Sequence, residues 1–226
     1  MSKILFIDYD ETLHDTYAKF AIKLDGIYGL SAEQILDAYL TVHRGIVHPQ
    51  YPEKHDDFFF HQKLLADQLG KPYRKDEARK MATRFKEAQE ECWTNPIFFP
   101  ESLYFLDKVN EKHILCLTTG DYAQEKADAL EKAAGRSYFS YVFDDTHLGL
   151  KGSSAYFANA LMSTNSRPED AVVIGDSLEH DIAAAKEVGI AAVWVNRRGL
   201  PPIADSPMPD YQAKDLFEVL NYLEDL

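Results

Sequence analysis

Five short apolar runs, each stopping at polar, acidic or glycine-bearing residues, constrain this chain more than any other feature. They are residues 3–8 (KILFID), 113–118 (HILCLT), 141–143 (YVF), 171–174 (AVVI) and 191–195 (AAVWV). A near-continuous apolar run of this length suits a strand covered on both faces, because alternation is expected only where one face meets water. Helical periodicity fills the gaps between the later runs, at 122–134, 153–161, 178–188 with Gly189 as C-cap, and 214–223. Strand and helix in alternation, joined by right-handed crossovers, predict an α/β fold built on a doubly wound open parallel sheet. Ligands of such sheets bind beyond the carboxyl ends of the strands.

Residues 14–98 break the alternation, offering helical patterns but no buried strand. The expected organisation is therefore an α/β core made of 1–13 and 99–226, interrupted by an α-helical subdomain over 14–98. Within the insertion, Ser31 followed by Gln34 reads as a capping box, 76–92 as a helix rich in good helix formers, and 47–54 as a loop broken by Pro49 and Pro52. His43, Arg44, His48, His55 and His61 read as decoration of a solvated face. Phe58, Phe59 and Phe60 read as the insertion's own core, and Trp93, Phe98 and Phe99 as lining of the place where the chain returns.

Charge narrows the range of partners. Thirty-seven acids against 24 Lys and Arg give a net charge of −13, which repels nucleic acid polymers and anionic membranes at long range. A small phosphorylated metabolite is not excluded, because a bound cation and a few local donors reverse the sign inside one cleft. Two cysteines at no metal-ligand spacing, an N-terminus without a secretory pattern and no run of membrane-spanning length point to a reducing cytoplasm. A monomer or homodimer is expected.

The acids fall where the strands should end. Asp8 and Asp10 lie two apart at the end of the first run, followed by Thr12, and like charges held together there ask for a cation. The second run ends in Thr118-Thr119-Gly120, which offers hydroxyls and N–H groups for phosphate oxygens. Lys151 opens a helix after the third run, and the fourth ends in Gly175-Asp176 with Asp181 five residues on. Singly these read as an acidic loop, a helix cap and a surface lysine. Their order along one sheet edge is far more specific.

That ordered set, Asp-x-Asp-x-Thr, Thr, Lys and Gly-Asp-x-x-x-x-Asp, resembles the haloacid dehalogenase superfamily of phosphatases, and the insertion after the first motif looks like that family's cap. The resemblance implies a small-molecule phosphatase acting on a sugar phosphate, nucleoside monophosphate or similar monoester. In it Asp8 is the nucleophile and Asp10 the acid and base. Thr118, Thr119 and Lys151 bind phosphate, and Thr12, Gly175 and Asp181 support them. Magnesium is held by Asp8, the Asp10 backbone carbonyl and Asp176. An acid at position 10 argues against dehalogenation, since a halide needs no proton. Alternatives are a phosphosugar mutase and a non-catalytic binding module. Two departures from the family pattern stand out: Glu11, where glycine or asparagine is common, and Thr119, where asparagine is common.

Overall fold

The computed structural model describes residues 2–47, 50–54, 57–202 and 207–225. By its internal contacts the chain divides into two compact units, Met1–Asp15 with Phe98–Leu226, and Thr16–Ile97.

The first unit is a six-stranded, all-parallel sheet: β1 (Ile4–Asp8), β2 (Ile114–Thr118), β3 (Phe139–Phe143), β4 (Ala171–Gly175), β5 (Ala191–Val195) and β6 (Tyr211–Ala213), in the order β3-β2-β1-β4-β5-β6. Alternate residues feed two separate cores. Leu5 and Ile7 pack with the helices Ser102–Asn110, Ala123–Ala134 and Leu216–Glu224, while Ile4 and Phe6 pack with Ser154–Ser163 and the segment around Ile182 and Ala185. Both faces of β1 are thus covered, which is why its sequence shows no polar alternation. The chain winds one way from β1 through β2 to β3 and the other way through β4 to β6. The order reverses between β1 and β4, and sheets of this kind bind ligands beyond the strand ends at such a point.

The expected doubly wound parallel sheet is present, with local differences. β3 begins two residues before the apolar run at 141–143, because Phe139 pairs with Leu115, and the register shifts past Ser140 before Tyr141 pairs with Cys116. β6 and the Ser102–Asn110 helix were not expected. The helix expected over 178–188 is a wider i→i+5 turn at Leu178–Ala183 followed by α-helix at Ala184–Glu187.

The second unit is helical: Thr16–Leu24, Ala32–Val42, Phe58–Gln68 and Lys75–Thr94, closed around Leu24, Ile35, Leu65, Met81 and Phe85. Both halves of the capping box form, Gln34 N–H to Ser31 Oγ at 3.3 Å and Ser31 N–H to Gln34 Oε1 at 3.0 Å. In the loop expected over 47–54, Val47 ends a helical turn that begins at His43, and Pro52–Lys54 forms another short turn. Two further expectations are corrected. Phe59 is exposed and not core, because consecutive residues on a helix point about 100° apart and cannot share one face. His61 is buried beside Tyr39 and His43 and does not decorate a solvated face. His48, Pro49 and His55 lie outside the described residues. Among the described residues no helix is long and apolar enough to cross a membrane.

Candidate active site

The parallel register fixes the geometry at the sheet edge. Asp8 pairs with Thr118, so the last residues of β1 and β2 stand side by side, and β4 on the other flank of β1 ends in Gly175 with Asp176 next in the chain. Lys151 reaches this edge from the segment after β3, its backbone N–H anchored to Asp145 Oδ1 at 2.8 Å. Its ammonium contacts Asp8 Oδ1, lies 2.9 Å from Asp181 Oδ1, and donates to the Thr118 carbonyl at 3.3 Å. The Thr12 hydroxyl donates to the other Asp8 oxygen at 3.0 Å. Carboxylate oxygens of Asp8, Asp176 and Asp181 all lie within 4.8 Å of one another. The Thr118 hydroxyl is buried and finds no hydrogen-bond partner among the described residues.

Gly175 makes this convergence possible. A Cβ at that position would sit 2.3 Å from Asp181 Cγ, inside any allowed contact, so the Asp181 carboxylate occupies the room a side chain would take. Asp181 Oδ2 in turn accepts the Ser177 N–H at 3.0 Å. Gly175→Ala is expected to force Asp181 away from Lys151 and to lower stability by about 2 kcal/mol, the usual cost of overpacking. Thermal unfolding checks this, and an unchanged Tm would show that the carboxylate can move without loss.

Burial and neighbouring charges shift the groups at this edge. Burial pushes the Asp8 carboxyl up, to about 7, with the Asp181 and Asp10 carboxylates pushing the same way and Lys151 pulling it down. Lys151, facing Asp181 and Asp8, is held well above the ordinary lysine range despite its burial. The ammonium therefore stays charged, and of the three clustered carboxylates it meets Asp8 and Asp181.

Asp10 and Thr119 are joined to each other through a residue that sequence reasoning missed. The buried ammonium of Lys126 donates to Asp10 Oδ2 at 2.8 Å, Thr119 Oγ1 at 2.8 Å and Asp121 Oδ1 at 2.9 Å. The countercharge of the Asp10 carboxylate is thus a lysine. A signal for it existed: in the Ala123–Ala134 helix, Lys126 shares the buried stripe with Ala123, Ala127 and Leu130, an odd place for an unpaired cation. Arg197 was also missed. Its guanidinium stacks 3.6 Å from the Phe99 ring centroid and donates to the Glu11 and Thr12 carbonyls at 3.2 and 2.9 Å and to Glu101 Oε1 at 2.6 Å. It pins the turn after β1, where Glu11 sits at φ +58°, the left-handed region that suits glycine or asparagine.

Comparisons with known proteins place the chain among relatives. The curated relatives include the mouse N-acylneuraminate-9-phosphatase, 32% identical over 118 residues, which is 51% of this chain and 47% of that protein. The phosphoserine phosphatase of Thermus thermophilus is 32% identical over 123 residues, 54% of this chain and 49% of that protein. This chain therefore spans about half the length of the curated relatives it matches. Among solved structures, the HAD-hydrolase YfnB from Bacillus subtilis, bound to magnesium, superposes with a TM-score of 0.77 over 98% of both chains at 20% identity, a likeness of fold. A family model described as haloacid dehalogenase-like hydrolase matches residues 24–195, most of the chain. With that match and the sheet edge above, this chain belongs to the haloacid dehalogenase-like hydrolase family.

Proposed function

We propose that this chain is a magnesium-dependent phosphatase that hydrolyses a small organic phosphate monoester through an aspartyl phosphate on Asp8. The observation that carries the reading is Asp8 itself. It is a buried carboxylate at the end of a central strand, oriented by Lys151 and Thr12 and paired in register with Thr118, whose buried hydroxyl has no partner among the described residues. An alkoxide-leaving reaction also needs an acid, and Asp10 stands two residues on.

The donors present fit magnesium. They are hard carboxylate oxygens within 4.8 Å of one another, and burial resists full ionisation of Asp8 unless a further cation arrives. Asp8, Asp176 and the Asp10 carbonyl would hold the ion. Once bound, magnesium supplies charge neutralisation between the phosphoryl oxygens and the carboxylates.

Lys151 and the Thr118 hydroxyl donate to equatorial phosphoryl oxygens, where charge accumulates. The Thr119 hydroxyl accepts from Lys126 and keeps its own proton to give, while its backbone N–H is spent on the Phe143 carbonyl at 3.1 Å. Asp8 attacks phosphorus as the bond to the leaving oxygen breaks, and Asp10 gives that oxygen its proton. Asp10 then takes a proton from water as the water oxygen attacks the same phosphorus, which releases orthophosphate and restores the Asp8 carboxylate. Asp181 and Gly175 keep Lys151 in place.

The substrate class proposed is a small phosphorylated metabolite, a sugar phosphate or nucleoside monophosphate. The relatives named for an N-acylneuraminate and for phosphoserine support a small organic ester. The purified protein with magnesium is expected to release inorganic phosphate from 4-nitrophenyl phosphate and from members of a metabolite panel. No release from any of them overturns the reading.

A thermal measurement bears on the cation. Without divalent ions, Asp8 titrates near 7 when folded and near the ordinary 3.8 when unfolded. The folded state then keeps a proton that the unfolded chain has lost, so this group's contribution is complete below about pH 4 and falls away as pH rises through about 7. In chelator, Tm is expected to be about 5 °C lower at pH 8 than at pH 5. Magnesium should recover more at pH 8, because it binds the ionised form. A magnesium response equal at both pH values argues against a cation on Asp8.

A further inference from the structure

Lys126 has no part in the reaction as written, yet it is buried to 2% exposure on a helix whose neighbouring stripe residues are Ala123, Ala127 and Leu130. Taking an ammonium out of water costs several kcal/mol, and a methionine of similar length would pack there without that cost. What offsets the cost is specific. A protonated lysine has three N–H groups, and three acceptors take them: Asp10 Oδ2 at 2.8 Å, Thr119 Oγ1 at 2.8 Å and Asp121 Oδ1 at 2.9 Å. The side chain crosses the sheet edge in doing so, from the helix after β2 to the turn after β1.

We propose that Lys126 is the positioning residue for the acid of the phosphatase reaction, holding the Asp10 carboxyl by Oδ2 so that the other oxygen, which carries the proton, meets the leaving group. The inference rests on the phosphatase reading and adds to it what fixes the acid.

Two simpler roles are disfavoured by the geometry. Every N–H of Lys126 is committed, so none remains for a phosphoryl oxygen, which Lys151 and Thr118 are placed to bind. A covalent role through a neutral amine is opposed by Asp10 and Asp121, which hold Lys126 above its ordinary range although burial pulls the other way. What Lys126 adds is position: the Asp10 side chain is 38% exposed at the sheet edge, its Oδ1 lies 4.0 Å from His14 Nδ1, and the ammonium fixes Oδ2. The small Thr119 side chain leaves room for the ammonium between it and Asp10, and the exposed Asp121 completes the set.

The test is the dependence of rate on leaving group. An aryl phosphate expels a stable phenoxide and needs little help from an acid, whereas an alkyl phosphate needs its proton. In Lys126→Met, kcat/KM for an alkyl phosphate is expected to fall by about 100-fold, and for 4-nitrophenyl phosphate by about threefold. Lys126→Arg, which keeps the charge, should recover part of the difference. In an Asp10→Asn background, Lys126→Met should add little on the alkyl ester, because the lysine acts through Asp10. Equal losses on both esters, tracking a lowered Tm, would mean that Lys126 only holds the fold, and no loss on either would likewise overturn the proposal. If Lys126→Met does not fold, Asp121→Asn loosens the ammonium from its exposed side and should show the same selective loss, about threefold on the alkyl ester; a flat response there overturns the proposal. A wild-type protein that hydrolyses neither ester fails the phosphatase reading itself, an outcome distinct from a flat profile in an active enzyme.

Discussion

Asp8→Asn is expected to lower kcat by about 10⁴-fold or more on every substrate while the protein remains folded. The amide has nearly the shape of the carboxylate. It can still accept from Lys151 at one oxygen, but it has no lone-pair anion to displace an alkoxide from phosphorus. The same substitution should raise the stability of the metal-free protein at pH 8, because it removes a carboxylate whose ionisation burial and the neighbouring Asp181 oppose. The substituted amide does not titrate, so the fall of Tm between pH 5 and pH 8 in chelator should largely vanish in the variant. Phosphate release under single-turnover conditions and a pH series of melting curves read the two effects separately. Activity above about one per cent of wild type, in a preparation free of wild-type protein, would move the nucleophile elsewhere.

Loss of function with gain of stability has a physical origin that was partly visible in the sequence. A parallel strand buried on both faces has to be apolar until it leaves the sheet, so the first polar residue after the run marks the edge. Asp8 and Thr118 end their strands side by side because the ladder between β1 and β2 stays in register to the last residue. Asp176 follows β4 by the same logic. Lys151 and Asp181 could be placed only through the family pattern, because nothing in their neighbours distinguishes them from surface charges until the chain is folded.

The elements that escaped were those whose signal is tertiary. β6 is three residues long at the sheet margin, too short for a pattern. The Ser102–Asn110 helix carries a readable stripe of Phe105, Leu106 and Val109, but it lies just where the chain re-enters the first unit, so an order of elements built from strands passes over it. Lys126 and Arg197 act at the tips of long side chains, at places set by neighbours far away in sequence: Lys126 meets Asp10 across 116 positions and Arg197 meets Thr12 across 185. In the helical unit, His61 was misjudged because histidine is at home on either side of a surface, and only the packing of Tyr39 and His43 around it decides.

Lys151→Met should do what Asp8→Asn does not, and destabilise while it inactivates. Asp8 and Asp181 are both buried, and Lys151 supplies the positive charge that each of them meets. Removing one partner of a buried charge cluster leaves the others uncompensated, at a cost of about 3–5 kcal/mol, far more than the same change on the surface. Turnover should fall by about 10³-fold as well, since a phosphoryl oxygen loses its donor. The pH dependence fixes the cause. Lys151 is what pulls the Asp8 carboxyl down against burial, so without it that carboxyl moves further up, and the folded state binds its proton over a wider range. Stability in chelator should therefore fall more steeply with rising pH than in the wild type, with the deficit largest near pH 8 and smaller near pH 5. Adding Asp181→Asn should recover part of the loss, because it removes one of the stranded charges. A deficit equal at both pH values would assign the loss to packing of the lysine stem. No deficit at all would mean that these carboxylates carry their charge without Lys151, and the electrostatic argument for a cation at this edge would lose its footing.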